Sequence, residues 1–269
     1  YEIVDCDWSS DVCSSDLKGL PAWFRRTLRT SAGVIANSAE ARDTVVALTG
    51  IPSERVTVIH NSLVFPADAG ATRNLELRAR HGAGPATTVL LNVAMFRPEK
   101  NQRELIEIAA GLPASADWQL WLAGDGPARA ACEAKARELG PRANRVRFLG
   151  FHANPAPLYA AADVAVHASW SEALSNFLIE AQAHGLPAVA ARAQGNLECF
   201  LPGETGWEIP RGDHAAFRAV LTRLFADAPA ERARRAATAR EFARQRFDPA
   251  RQVDAYLSFF ARLAAIARS

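Results

Sequence analysis

The chain contains no apolar run approaching the ~18 residues that a membrane-spanning helix needs. Its formal net charge is only +2, too small to argue for a nucleic-acid partner. The 31 basic residues are mostly arginine, scattered along helix faces as on any solvated surface. The four cysteines lack metal-type spacing, and nothing pairs Cys132 with Cys199, so neither a zinc site nor a disulfide framework is expected. No secretory signal is recognisable, which leaves the cytoplasm as the expected location. A Gly-x-Gly-x-x-Gly fingerprint after a first strand is also missing. Gly124-Asp-Gly126 runs on as Pro-Ala-Arg, which argues against a nicotinamide-dependent dehydrogenase.

What is present is an ordinary globular composition, 49% hydrophobic over 269 residues, enough for one large domain or one and a half. Asp7 to Leu17 repeats Ser-Ser-Asp with neither helical nor strand periodicity. It resembles translated sequencing-adapter read-through, so residues 1–17, with Cys6 and Cys13, are set aside as a non-native segment. Leu20 to Thr30 reads as a basic amphipathic helix, Trp23, Phe24 and Leu28 opposing Arg25, Arg26 and Arg29. Such a helix packs on its own domain or lies on the inner face of a membrane as a peripheral contact. Strand patterns at Gly33–Asn37 and Val56–Ile59 flank a helix capped by Ser38, and Val64 to Pro85 is irregular apart from a short Arg-rich helix, Leu75 to Arg80.

From Thr88 onward strands and helices alternate: Val89–Ala94, Gln119–Ala123, Arg145–Leu149, Asp163–His167, Pro187–Ala191 and Trp207–Ile209 are strands, with helices between them and three more at the end. This order predicts βαβ units and a doubly wound parallel sheet. The predicted organisation is a remnant of an N-terminal domain at 18–62, an inter-domain crossing at 63–84, a complete Rossmann-like domain at 85–246, and a last helix at 247–269 crossing back to the first unit. Two strands are too few for a domain of that type, so most of the N-terminal domain is expected to be missing.

The chemistry concentrates where strands end. Met95-Phe-Arg97-Pro-Glu-Lys100 offers two cations to a phosphate, Arg97 as a planar fork and Lys100 as a point charge. Gly124-Asp-Gly-Pro127 reads as simple turn chemistry. Gly150-Phe151-His152 presents backbone and an aromatic edge that could meet a base. The richest stretch is His167 to Pro187, where Glu172 and Glu180 flank a helix start capped by Ser175 or Asn176 and closed by Gly185. Loops at strand carboxyl ends bind ligands in open α/β sheets. A helix N-terminus offers free N–H groups to an anion. Glu180 sits among Phe177, Leu178, Ile179 and Ala181, where an unpaired carboxylate is costly; a buried ion pair or a hydroxyl-rich ligand must meet it. Two acids flanking an anion site suit a phosphate-linked ligand with hydroxyl-bearing groups at both ends. A glycosidase would place its carboxylates on unrelated elements and leave the phosphate-type helix start unexplained.

With Arg97-Pro-Glu-Lys100, Gly124-Asp-Gly-Pro127, Arg145-Val-Arg-Phe-Leu-Gly150 and Glu172-x7-Glu180-Ala-x3-Gly-Leu-Pro187, residues 18 to 269 resemble glycosyltransferase family 4. Val34-Ile-Ala-Asn-Ser38 and Val56-Thr-Val-Ile-His-Asn61 fit the same family near its domain crossing. The resemblance implies a GT-B fold and a retaining, metal-independent transfer from a UDP- or GDP-linked sugar to a carbohydrate or lipid-linked acceptor, with no cofactor. It implies donor-sugar contacts at Glu172, Ala173 and Leu174. It also implies nucleotide and phosphate contacts at Arg97, Lys100, Gly150, Phe151, Ser175, Asn176 and Glu180. Departures are visible: Ala94-Met95 stands where the family has Gly-Arg, Ala173 where it has Gly, and Asn61-Ser62 where it has Asn-Gly. The catalytic residues of the N-terminal domain find no match, and no catalytic base is assigned. The expected activity is that of a hexosyltransferase in the full-length parent. The alternative for these 269 residues is a nucleotide-sugar-binding module without transfer activity.

Overall fold

The structure, a computed structural model, describes residues 22–65 and 73–266. The segment set aside at residues 1–17 and the start of the amphipathic helix lie outside the described residues. Helix α1 (Ala22–Thr30) leads to strand β1 (Val34–Ala36), helix α2 (Ala39–Thr49) and strand β2 (Val56–Val58). Ser38 caps α2 by accepting from the Ala41 amide, and Gly50, at φ +69°, ends it by donating to Val46 O. Rather than remaining isolated, β1 and β2 pair with each other in parallel, Val34 opposite Val56, over a small core of Ala36, Ile51 and Val56. Helix α1 buries none of its residues, and Trp23 is exposed.

Further along the chain come helix α3 (Leu75–Arg80) and six strands: β3 (Thr88–Val93), β4 (Trp118–Ala123), β5 (Val146–Gly150), β6 (Val164–His167), β7 (Ala188–Ala191) and β8 (Gly206–Ile209). They form one parallel sheet in the order β5-β4-β3-β6-β7-β8. The predicted doubly wound sheet is therefore observed. Helices α4 (Gln102–Ala110) and α5 (Arg129–Arg137) cover one face together with α8 (His214–Phe225). Helices α6 (Ala156–Ala161), α7 (Asn176–Ala183) and α9 (Pro229–Arg246) cover the other. Strand residues alternate between these layers: Leu90, Leu120, Val164 and Val189 face the first, Leu91, Trp121, Ala165 and Ala190 the second. Burial on both faces accounts for the unbroken apolar strands. Helix α10 (Pro249–Ile266) ends against the small unit, where Phe259 packs on Gly33 and Arg262 donates to Thr57 Oγ1 at 2.8 Å.

Strand order reverses between β3 and β6, so the loops leaving these two neighbours part to opposite faces and open a crevice at their carboxyl ends. The opposite end is closed by Arg78 of α3. Its guanidinium is buried and donates to Ala161 O at 2.6 Å, Gly84 O at 3.0 Å, Thr87 O and Asp163 Oδ2 at 3.0 Å. Asp163 also accepts from Arg73 at 2.6 Å and from the Val89 amide at 2.8 Å. One arginine thus satisfies the carbonyls of two chain segments that lead into the sheet. Arg78→Met should destabilise the fold by about 3 kcal/mol, the lower end for a broken buried pair because Asp163 keeps Arg73. Urea denaturation will read this as a lower midpoint with an unchanged slope.

Candidate functional site

The crevice between β3 and β6 is shaped by backbone that glycine alone permits. A Cβ on Gly124 would stand 2.0 Å from Ala94 O, and one on Gly126 2.6 Å from Phe96 O. The Gly124-Asp-Gly126 turn therefore presses directly on the loop after β3, clasping it through Phe96 N to Asp125 O (2.9 Å) and Ala128 N to Phe96 O (2.8 Å). That loop closes in a short 3-10 turn, Pro98–Lys100, and Asn101 takes φ +53° to start α4. Lys100 is thereby turned inward across the crevice.

On the other side β6 ends in His167, and the chain loops through Glu172 to α7. The Ser175 side chain caps that helix by accepting from the Leu178 amide. Gly195 lets the loop after β7 pass behind, since a Cβ there would meet Ala173 O at 2.0 Å and its φ is +74°. A cavity of about 180 Å³ results, into which Arg97, Lys100, His167, Glu172, Ser175 and Asn176 face. Glu172 is 2% exposed. Its Oε1 accepts from His167 Nε2 at 2.7 Å and from Lys100 Nζ at 3.0 Å, and its Oε2 accepts from Lys100 at 3.1 Å. Burial pushes this carboxyl up, but the hydrogen bond from His167 and the charge of Lys100 outweigh it and hold the group at about 2. An ionised acceptor, an ammonium and an open helix N-terminus thus share one cavity wall. Together they can bind hydroxyls and an anion side by side.

Other residues singled out from sequence occupy different ground. Ala173 and Leu174 are buried and do not line the cavity. Asn176 Oδ1 accepts from Asn61 Nδ2 at 2.8 Å, tying the helix start to the crossing. Gly150 (φ +76°) ends β5 and accepts from Gly124 N at 2.7 Å, and Phe151 beside it is exposed. Glu180 does not line this cavity. Its Oε2 accepts from Tyr159 O–H at 2.6 Å, and Tyr159 stacks on His184 with ring centroids 4.7 Å apart. Burial raises the Glu180 carboxyl, and the phenol's hydrogen bond offsets this only in part.

His167 is the residue the sequence reading passed over. It ends an apolar strand, and that position was its one signal. Glu198 is another. Oε1 accepts from the Ala39 amide at 2.8 Å at the start of α2, and Oε2 lies 2.8 Å from His60 Nε2 and 3.7 Å from Arg246. In return Gly195 N donates to Glu40 at 2.7 Å. A larger cavity, about 590 Å³, opens at the amino ends of β3 and β6. Two of its arginines pair with its two carboxylates, Arg73 with Asp163 and Arg235 with Asp227, and it lies at the end of the sheet away from the crevice. Among the described residues no three His, Cys, Asp or Glu side chains converge as a metal site, and no helix is long and apolar enough to cross a membrane.

The low Glu172 carboxyl has a stability consequence. An unfolded glutamate titrates near ~4.3, so the stabilisation is complete above that pH and is lost as pH falls toward the folded value of about 2. Glu172→Gln should be less stable than the parent at neutral pH, and the difference should shrink between about pH 4 and 2. Urea titrations across that range will measure it. A constant difference at every pH would show that Glu172 is not held ionised.

Residues 87–227, more than half of the chain, match the sequence pattern of the family described as Glycosyl transferases group 1. The lipopolysaccharide core biosynthesis glycosyltransferase LpsE of Rhizobium meliloti is 34% identical over 150 residues, which is 56% of this chain and 43% of that protein. The D-inositol 3-phosphate glycosyltransferase of Thermomonospora curvata is 35% identical over 229 residues, 78% of this chain and 52% of that protein. The match thus spans about half or less of these relatives' own length. The crystal structure of Anabaena HepE in complex with UDP-glucose superposes with a TM-score of 0.76 at 26% identity, covering 94% of this chain and 68% of that one. With more than half of its residues fitting the family's pattern, and the same α/β fold in the solved glycosyltransferases, this chain belongs to the glycosyl transferases group 1 family.

Proposed function

We propose that this chain carries the donor site of a retaining glycosyltransferase that moves a hexosyl unit from a UDP- or GDP-linked sugar to a carbohydrate or lipid-linked acceptor. One observation carries the reading: an ionised, buried Glu172 and the Lys100 ammonium meet at 3.0 Å beside the N-terminus of α7, at the strand-order reversal. The diphosphate would lie against the α7 N-terminus, with Lys100 and Arg97 neutralising it. The sugar hydroxyls would donate to Glu172. Anabaena HepE, crystallised with UDP-glucose, supports a nucleotide-sugar donor.

The chemistry proposed for these residues is leaving-group stabilisation. As the bond from the anomeric carbon to the diphosphate breaks, charge builds on the phosphate oxygens, where Lys100, Arg97 and the amides opening α7 would meet it. No metal is needed in this scheme. Glu172 accepts hydrogen bonds at the sugar and attacks nothing; the acceptor hydroxyl enters on the face the diphosphate leaves, its oxygen bonding the anomeric carbon while its proton passes to the departing phosphate oxygen, and configuration is kept. Met95, in place of the family's usual arginine, makes Lys100 the principal cation.

Calorimetric titration of this chain with UDP-glucose, UDP-N-acetylglucosamine and GDP-mannose should give saturable heat with one base. Lys100→Ala should weaken that binding about tenfold to a hundredfold, the loss of one charge-assisted contact. No heat from any donor with a folded sample overturns the donor-site reading. Binding without transfer by the full-length parent, across an acceptor panel, would favour a binding module. The anomeric configuration of any product, read by NMR, decides retention.

A further inference from the structure

The crevice contains a competition. Lys100 Nζ contacts both oxygens of Glu172, at 3.0 and 3.1 Å. A diphosphate at the start of α7 would draw the same ammonium, because a doubly charged group outbids one carboxylate. Lys100 has a flexible four-carbon stem and is partly exposed, so it can turn. Glu172 cannot follow without losing its place, and left alone at 2% exposure it would take up a proton or swing into the cavity.

His167 is built to prevent this. It is the last residue of β6, a strand paired on both sides, and is itself 1% exposed. Asn92 of the neighbouring β3 donates through Nδ2 to Val166 O at 2.9 Å and lies 3.4 Å from His167 Nδ1. The imidazole therefore faces a donor at Nδ1, which leaves Nε2 to carry the N–H that Glu172 accepts at 2.7 Å. Phe177 of α7 packs on the ring at 5.5 Å between centroids. Ser175 Oγ lies 3.5 Å from His167 Nε2 and is engaged as the α7 cap, accepting from the Leu178 amide.

Resting on the donor-site reading, we propose that His167, oriented by Asn92, is the positioning residue for Glu172. It fixes Oε1 while Lys100 turns to the diphosphate, and Oε2 is thereby released to accept from the sugar. The carboxylate then serves two partners in sequence from one position, and the nucleotide's arrival itself opens the acceptor for the sugar.

Two measurements on this chain test the assignment. In a crystal structure of Lys100→Ala, which removes the ammonium permanently, the Glu172 carboxylate should remain on His167 Nε2; a carboxylate rotated away overturns the proposal, whether or not any donor binds. In calorimetry, His167→Leu should weaken UDP-glucose about tenfold while leaving UDP within about twofold, because only the sugar contact depends on Glu172. His167→Gln keeps an N–H donor and should restore most of the loss. GDP and GDP-mannose replace the uridine pair if the unaltered chain prefers them. Equal weakening of nucleotide and nucleotide sugar in a folded His167→Leu reduces His167 to a packing residue and overturns the proposal. Failure of the unaltered chain to bind either nucleotide sugar overturns the donor reading instead, and the Lys100→Ala structure still decides what holds Glu172.

Discussion

A carboxylate removed from water stays charged only where fixed donors replace its hydration. Glu172 meets that condition through His167, the last residue of β6, and Lys100, in the loop after β3; the two strands are adjacent in the sheet but far apart in the chain. The architecture can be derived from this requirement. The reversal of strand order brings the end of β3 beside the end of β6. The glycines after β4 let a turn press on the β3 loop and aim Lys100 inward. The Ser175 cap fixes where α7 begins, and with it how far Glu172 stands from the helix amides. Loosening any of these leaves a buried charge unmatched, which costs more than the contact removed.

The elements were largely legible in the sequence, because each carries a local signature. Apolar runs such as Val89 to Val93 marked strands buried on both faces, Ser38 and Ser175 marked helix starts, and Gly185 marked a helix end. The two motif glutamates were legible through their spacing around one of those starts. Partnerships between distant residues were not. His167 reads as one more strand residue until β3 brings Asn92 beside it. Arg78 reads as part of a solvated, arginine-rich helix, yet it holds three carbonyls and Asp163. Glu180 called for an ion pair or a ligand, and the fold supplies a phenol from α6. Spacing encodes what one helix or turn can do. It is silent on which side chain arrives from across a sheet.

The small unit shows the same economy. Glu198, in the loop after β7, caps α2 and meets His60, while Glu40 of α2 accepts from Gly195 in that loop. Burial disfavours the charged form of Glu198, but His60 and the two amides at the start of α2 outweigh it and keep its carboxyl low. The exchange ties the small unit to the loop whose Gly195 lies against Ala173, the residue after Glu172.

The two motif glutamates share a helix start and receive opposite electrostatic treatment. Glu172, between an imidazole N–H and an ammonium, is held down at about 2; Glu180, with only a phenol, is held up by its burial. The difference suits different tasks in the proposed donor site. A carboxylate at the sugar must be a permanent acceptor, since hydroxyls are weak donors and its neighbour Lys100 is needed elsewhere. A carboxyl on the helix that is bonded to one neutral O–H gives up little when another hydroxyl, such as one of a ribose diol, takes that place, because like replaces like and no ion pair is broken. The sequence set both positions with the same residue type. What distinguishes them is the donors that the sheet and helix α6 bring to each.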